Sequence, residues 1–177
     1  MRAIDATATR YDGGTIWLHW ITVVLVVEQW IGAQVIDLFA RGAPRVDARS
    51  VHIVLGAALV LLLVARICWR LSGGRRLPQA DGWPLSLLAR AAQLGLYGLL
   101  VVMVGLGLSL AWVRGDSIFG LFSLPSFAPG DKALSESVQD AHAAVGWAIL
   151  ALGGLHGAAA LVHRYLWRDG VLARMWP

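Results

Sequence analysis

Four long apolar stretches, Ile16–Val35, Val51–Leu71, Leu85–Val113 and His142–Trp167, leave this chain few ways to fold. A helix rising 1.5 Å per residue needs ~20 apolar residues to cross ~30 Å of hydrocarbon, and each stretch can supply them. The chain is 58% hydrophobic and only 15% charged, with a mean hydropathy of +0.64. A soluble domain of 177 residues needs more polar surface than that to cover a core. The four stretches also leave little sequence for a second domain. The expectation is therefore one integral-membrane domain over residues 1–177, all-α, with helices at about 16–36, 51–71, 85–113 and 140–167.

The N-terminal segment Met1–Gly14 is polar, and no small-residue cleavage site follows a short apolar core, so the first stretch reads as a retained helix. The single cysteine, Cys68, excludes an intramolecular disulfide and a C-x-x-C-H haem-attachment motif. Lys and Arg divide unevenly between the two sides. Arg2, Arg10, Arg66, Arg70, Arg75, Arg76, Arg90, Arg164, Arg168 and Arg174 fall on the side of the termini. Arg41, Arg45, Arg49, Arg114 and Lys132 fall on the other. The positive-inside rule then puts both termini in the cytoplasm. No nucleic-acid motif accompanies this basic bias. Trp17, Trp20, Trp69, Trp83, Trp112 and Trp167 lie near the expected interfaces, where amphipathic rings anchor helices. The third connection contains Leu121–Phe127, apolar enough to lie on the membrane or cap the bundle. Four antiparallel helices with modest loops make an up-and-down bundle, an architecture that holds cofactors between facing helices.

The five histidines carry the chemistry. His142 and His156 are fourteen residues apart in one helical run, so they share a face to within about 40° and stand ~21 Å apart in depth. His19 opens the first helix near the cytoplasmic side, and His52 opens the second on the opposite side. Depth then pairs His52 with His142, and His19 with His156. A b-type haem iron takes two axial ligands on opposite faces of the ring, and neutral imidazole suits it. Two such pairs at two depths predict two haems b. Gly56 and Gly146 each lie one turn after a histidine, and Gly153 and Gly157 flank His156, so all four leave space for a flat macrocycle. A lone membrane histidine is as well explained by an interhelical hydrogen bond, but four in depth-matched pairs are not. A metal-transport route would want carboxylates beside the histidines, and only Glu28 lies well inside a span. Nine residues from His19, Glu28 points away from that histidine and receives no role.

His163 is the surplus histidine, seven residues beyond His156 on nearly the same face. It competes with His156 for His19, and the spacing for two separate rings favours His156. Released from ligation, His163 is a candidate quinone ligand or proton relay, or else a hydrated interfacial side chain. Arg66 and Arg70, and Arg41, Arg45 and Arg49 opposite, have the charge to meet haem propionates, although snorkelling explains most of them. The glycines of the third helix, Gly95, Gly98, Gly105 and Gly107, read as helix-packing positions.

Ile16-Trp17-Leu18-His19-Trp20, Val51-His52 followed by Gly56 and Arg66, and His142-x3-Gly146 resemble the bacterial cytochrome b561 family of small di-haem membrane cytochromes. The most specific part is Leu155-His156-Gly157-Ala158-Ala159-Ala160 through His163, Tyr165 and Trp167 to the Leu172–Pro177 end. More distantly the chain is similar to the cytochrome b subunits of formate dehydrogenases and nickel-iron hydrogenases. The resemblance implies that His19 and His52 pair with two fourth-helix histidines fourteen apart. It also implies a superoxide:ubiquinone oxidoreductase of the bacterial inner membrane. Superoxide, or another donor, would be oxidised at the periplasmic face, and ubiquinone reduced near the inner haem. His163, Arg164, Trp167 and Arg168 are the quinone-site candidates; Arg164 stands where relatives often carry a second adjacent histidine. The expected partners are membrane lipid, quinone and the electron donor, with no protein partner required. The alternative is a cytochrome b anchor subunit that passes electrons from a dehydrogenase or hydrogenase to quinone.

Overall fold

A computed structural model describes residues 9–80 and 82–177; Arg2, counted above on the cytoplasmic side, lies outside them. Four helices dominate: α1 (Gly13–Val35), α2 (Ala43–Ser72), α3 (Leu85–Arg114) and α4 (Lys132–Val162). Each belongs to a span long and apolar enough to cross a membrane. They run up and down, with α1 packed on α2, α2 on α3, and α3 on α4. Among the described residues α4 does not run backbone-close along α1 or α2, so a gap separates α4 from the first two helices. Large apolar side chains point outward, with Leu61 72% and Leu155 69% exposed, as a lipid-facing surface requires. This is a transmembrane four-helix bundle.

Capping chemistry sets where the helices start. Asp12 caps α1, its carboxylate accepting from the Thr15 N–H at 2.9 Å. Asp131 caps α4 in the same way through Leu134 N–H, so this helix begins at Lys132, well before the expected Asp140. Similarly α2 begins at Ala43, before its apolar stretch. Pro44 sits in its first turn, where a missing N–H costs no hydrogen bond. Arg45, Asp47 and Arg49 therefore lie on a helix, although the sequence reads as a connection there. Arg45 turns back to Asp37 at 3.4 Å, and Arg49 reaches Asp116 at 3.3 Å.

A small antiparallel ribbon, β1 (Ser117–Ile118) with β2 (Phe122–Ser123), covers one end of the bundle. It turns through Phe119 and Gly120, both at positive φ. Ser50 of α2 anchors it and is completely buried. Its hydroxyl accepts from Phe119 N–H at 2.8 Å and faces the carbonyls of Val46 and Ser117. The neighbouring apolar segment leaves Leu121 and Phe127 exposed, so the ribbon caps the bundle and presents its apolar side chains outward.

The opposite end, which carries both termini, is knit by polar contacts. Tyr11 N–H donates to Arg174 C=O at 3.1 Å, and the Trp20 indole donates to Met175 C=O at 2.7 Å. Arg10 donates to Trp176 C=O, and Arg174 to Pro78 C=O. Asp12 is the centre of this knot, taking the Trp69 indole and the Arg75 N–H in addition to Thr15. Partial burial works to raise its carboxyl. The donated N–H and O–H groups outweigh that and hold it at about 2, below its ordinary 3.8. A depressed carboxylate stabilises the fold at pH above its unfolded value, and that contribution is lost as pH falls from about 4 toward 2. The thermal midpoint of the detergent-solubilised protein is therefore expected to fall more steeply over this window in wild type than in Asp12→Asn. Parallel curves would remove Asp12 as the cause.

Candidate functional site

The histidines meet in the gap beside α4. At the ribbon end, His52 of α2 and His142 of α4 face each other with ring centroids 6.3 Å apart and planes at 75°. Toward the termini, His19 of α1 and His156 of α4 face each other at 6.5 Å and 76°. Thirteen intervening residues of α4 separate the two levels by ~21 Å along the axis. Leu59 and Leu63 of α2, Leu100 of α3 and Ile149 of α4 form the buried core between them. Ile149 lies midway between the two α4 histidines in sequence, so this buried cluster separates the two pairs.

The ring separations have a chemical meaning. When two imidazoles bracket one metal ion, a bond of ~2 Å and ~1 Å from nitrogen to ring centre on each side put the centroids ~6 Å apart. Both observed separations match. Among the described residues no group of three or more His, Cys, Asp or Glu side chains gathers to hold a metal ion. Each pair thus brings two facing imidazoles to one place, a donor set that fits the iron of a b-type haem. The Nδ1 atoms of His52 and His142 are buried without a hydrogen-bond partner. Such an arrangement is costly unless a further group completes it.

The glycines divide. No atom outside the helix lies within 4 Å of a side chain added at Gly153 or Gly157, so both adjoin open space beside His156. Gly146 faces the Met103 methyl at 3.4 Å. Gly56 makes room first for a side chain: the Gln29 amide nitrogen would sit 2.9 Å from an added Cβ there, and it donates to the His52 carbonyl at 2.9 Å. Gly107 of α3, read from sequence only as a packing position, lies against His142, with Cε1 at 3.2 Å from an added Cβ. Its depth in α3 matches that of His142 in α4, the one signal that would have singled it out.

His163 stands apart from both pairs. It opens a π-helical turn, His163–Trp167, its Nδ1 bonded to Asp169 at 2.5 Å and its ring edge-on to Trp167 at 4.5 Å. Desolvation works to raise the Asp169 carboxyl, but the hydrogen bonds with His163 and Val171 N–H together outweigh it and lower it. Arg164 and Arg168 are exposed on the same turn, and Arg168 ends it in a left-handed conformation. Arg66 donates to the Tyr97 hydroxyl at 3.2 Å and to the Leu18 carbonyl at 3.4 Å, beside His19. Arg70 caps the Arg75 carbonyl. On the ribbon side, Arg114 bonds Ser135 and Gln139.

Residues 10–177 match the prokaryotic cytochrome b561 family. The chain belongs to it. It is 28% identical over 174 residues to "Cytochrome b561 homolog 2" of Escherichia coli K12, covering 96% of this chain and 92% of that one. It is 26% identical over 173 residues to "Probable superoxide oxidase CybB" of Yersinia pestis (95% and 96%). It is 28% identical over 166 residues to "Cytochrome b562" of Cereibacter sphaeroides (90% of each). Membership makes the chain a multi-pass bacterial membrane protein of electron transfer and implies b-type haem.

Gly107 and Gly105 separate a steric effect at His142 from a general effect on α3. Gly107→Leu is expected to cost the protein about half its b-type absorbance, because the new side chain displaces one candidate axial ligand. Gly105→Leu, facing open space, should retain it. Equal haem content in the two purified variants would rule out crowding at His142.

Proposed function

We propose that this protein passes electrons across the bacterial inner membrane through two bis-histidine haems b, from superoxide at the periplasmic face to ubiquinone near the cytoplasmic one. The observation that carries the proposal is the pair of imidazole brackets at 6.3 and 6.5 Å, at two depths of one bundle. His52 and His142 hold the outer haem; His19 and His156 hold the inner one. Bound there, each haem supplies reversible one-electron chemistry. The single domain over residues 1–177 does the rest. Leu59, Leu63, Leu100 and Ile149 exclude water between the levels, and Gly153 and Gly157 leave space beside His156.

The balance of basic residues supports cytoplasmic termini, which puts the ribbon end in the periplasm. Arg41, Arg45, Arg49 and Arg114 lie at or near that end and raise the local concentration of an anionic donor. The relative named as a probable superoxide oxidase supports superoxide as that donor. Each superoxide gives up one electron to become dioxygen, so two are needed for each ubiquinone, which takes up two protons as it becomes ubiquinol. For the quinone, the π-helical turn at the cytoplasmic end offers His163, held by Asp169, with Arg164, Trp167 and Arg168. Turns of this kind are frequent at functional sites.

Two measurements test the reading. His156→Ala is expected to lose one haem while His163→Ala keeps both; the reverse would move the inner ligand to His163. Mixing the purified protein with superoxide and a water-soluble quinone should reduce the haems faster than superoxide dismutates. If no such reduction is seen, the superoxide half of the proposal falls.

A further inference from the structure

Glu28 is a carboxyl group inside a membrane span, a position whose cost requires compensation. Its Oε2 is buried and has no hydrogen-bond partner. The groove beside it is lined by Val23, Val24, Val27, Ile31 and Val35, none of which carries a side-chain donor. The other side of Glu28 is different. Gly32, one turn further along α1, leaves a methyl-sized gap, and a Cβ built there would lie 3.4 Å from Glu28 Oε1 and 3.9 Å from His52 Nδ1. No other atom lies within 4 Å of that position outside the helix's own backbone. Glu28 Oε1 and the unpartnered His52 Nδ1 thus border one small space, while the other oxygen of the same carboxyl, Oε2, is the one buried without a partner.

Iron ligation through Nε2 leaves Nδ1 of the same imidazole carrying a proton that needs an acceptor. The Gln29 amide nitrogen is a donor committed to the His52 backbone carbonyl, and its Oε1, buried and unpartnered, is not among the atoms within 4 Å of the gap at Gly32. We infer that Glu28 is a positioning residue for His52: across the gap at Gly32 its carboxylate accepts the Nδ1–H, directly or through one water. This rests on the proposal that His52 is a haem ligand. The hydrogen bond fixes the orientation of the ring and makes the imidazole a stronger electron donor. With its negative charge, Glu28 favours the ferric form of the outer haem, lowering its potential relative to the inner one. The device acts at one of the two centres, because Glu28 sits beside His52 and on the far side of α1 from His19.

The test uses the full-length holoprotein and begins with His52→Ala, which identifies the outer haem as the one lost. Retention of both haems by His52→Ala would overturn the ligand assignment itself. With that assignment standing, potentiometric titration of Glu28→Gln and Glu28→Ala is expected to raise the outer midpoint potential, more in Ala than in Gln. The inner potential should not move. The outer ferric low-spin signal should change in parallel as the ligand basicity falls. Gly32→Val keeps the carboxyl but fills the gap, and should raise the same potential; it also decides the matter if a Glu28 variant does not assemble. Unchanged outer potential and signal in these variants, or equal shifts at both haems, would overturn the role of Glu28.

Discussion

Everything in this bundle depends on keeping α4 away from α1 and α2 by a distance that side chains, not backbones, must span. Two imidazoles facing one another across that gap set it at each level, 6.3 Å at one and 6.5 Å at the other. In lipid no hydrophobic force pulls helices together, since a tail is as apolar as a leucine, and close packing has to hold them. α3 meets that requirement. It packs along α4 and also against α2, so it fixes α4 relative to α2 without closing the gap. Gly107 shows how tightly that spacing is set, because α3 approaches the His142 ring without a side chain between them.

Polar groups do their structural work at the two ends. At one end Asp12 gathers the start of α1, the Trp69 indole near the end of α2 and the backbone beyond it. At the other, Ser50 ties the ribbon to α2, with no exposure to solvent. Both places lie near the expected interfaces, where unsatisfied backbone groups would otherwise meet the edge of the hydrocarbon. Between them the bundle is almost entirely apolar. Among the few polar side chains there, Thr22 and Ser109 bond back to their own helices, whereas Glu28 Oε2, Gln29 Oε1 and the Nδ1 atoms of His52 and His142 are left without partners.

Much of this was legible in the sequence because its strongest signals are one-dimensional. Apolar length specifies four spans, and alternation of direction converts residue number into depth, which pairs His52 with His142 and His19 with His156. The spacing argument also preferred His156 to His163, and His163 sits on a separate π-helical turn. Less legible were features that depend on rotation about a helix axis or on a neighbour's identity. Spacing along α1 turns Glu28 away from His19 and toward another helix, but it does not say which side chain waits there; across the gap at Gly32 that side chain is His52. Gly56 was read as space for a ring, but its nearest occupant is Gln29. The starts of α2 and α4 were placed too late, because a hydropathy pattern does not register a proline in the first turn or an aspartate cap. The ribbon between α3 and α4 was missed for a related reason: it is held by a serine in α2, far away in sequence.

The bonds between the two ends of the chain bear on how the molecule is made. Tyr11 meets Arg174, and Trp20 meets Met175, while each histidine pair needs a ring from the last helix to leave the ribosome. Neither compartment therefore exists while the chain is still being synthesised. Until α4 is made, His19 and His52 have no opposite wall, because both facing rings belong to that helix. The segment holding Arg174 and Met175 follows α4 in the chain and fastens against the start of α1, so this latch can close only after α4 has been made.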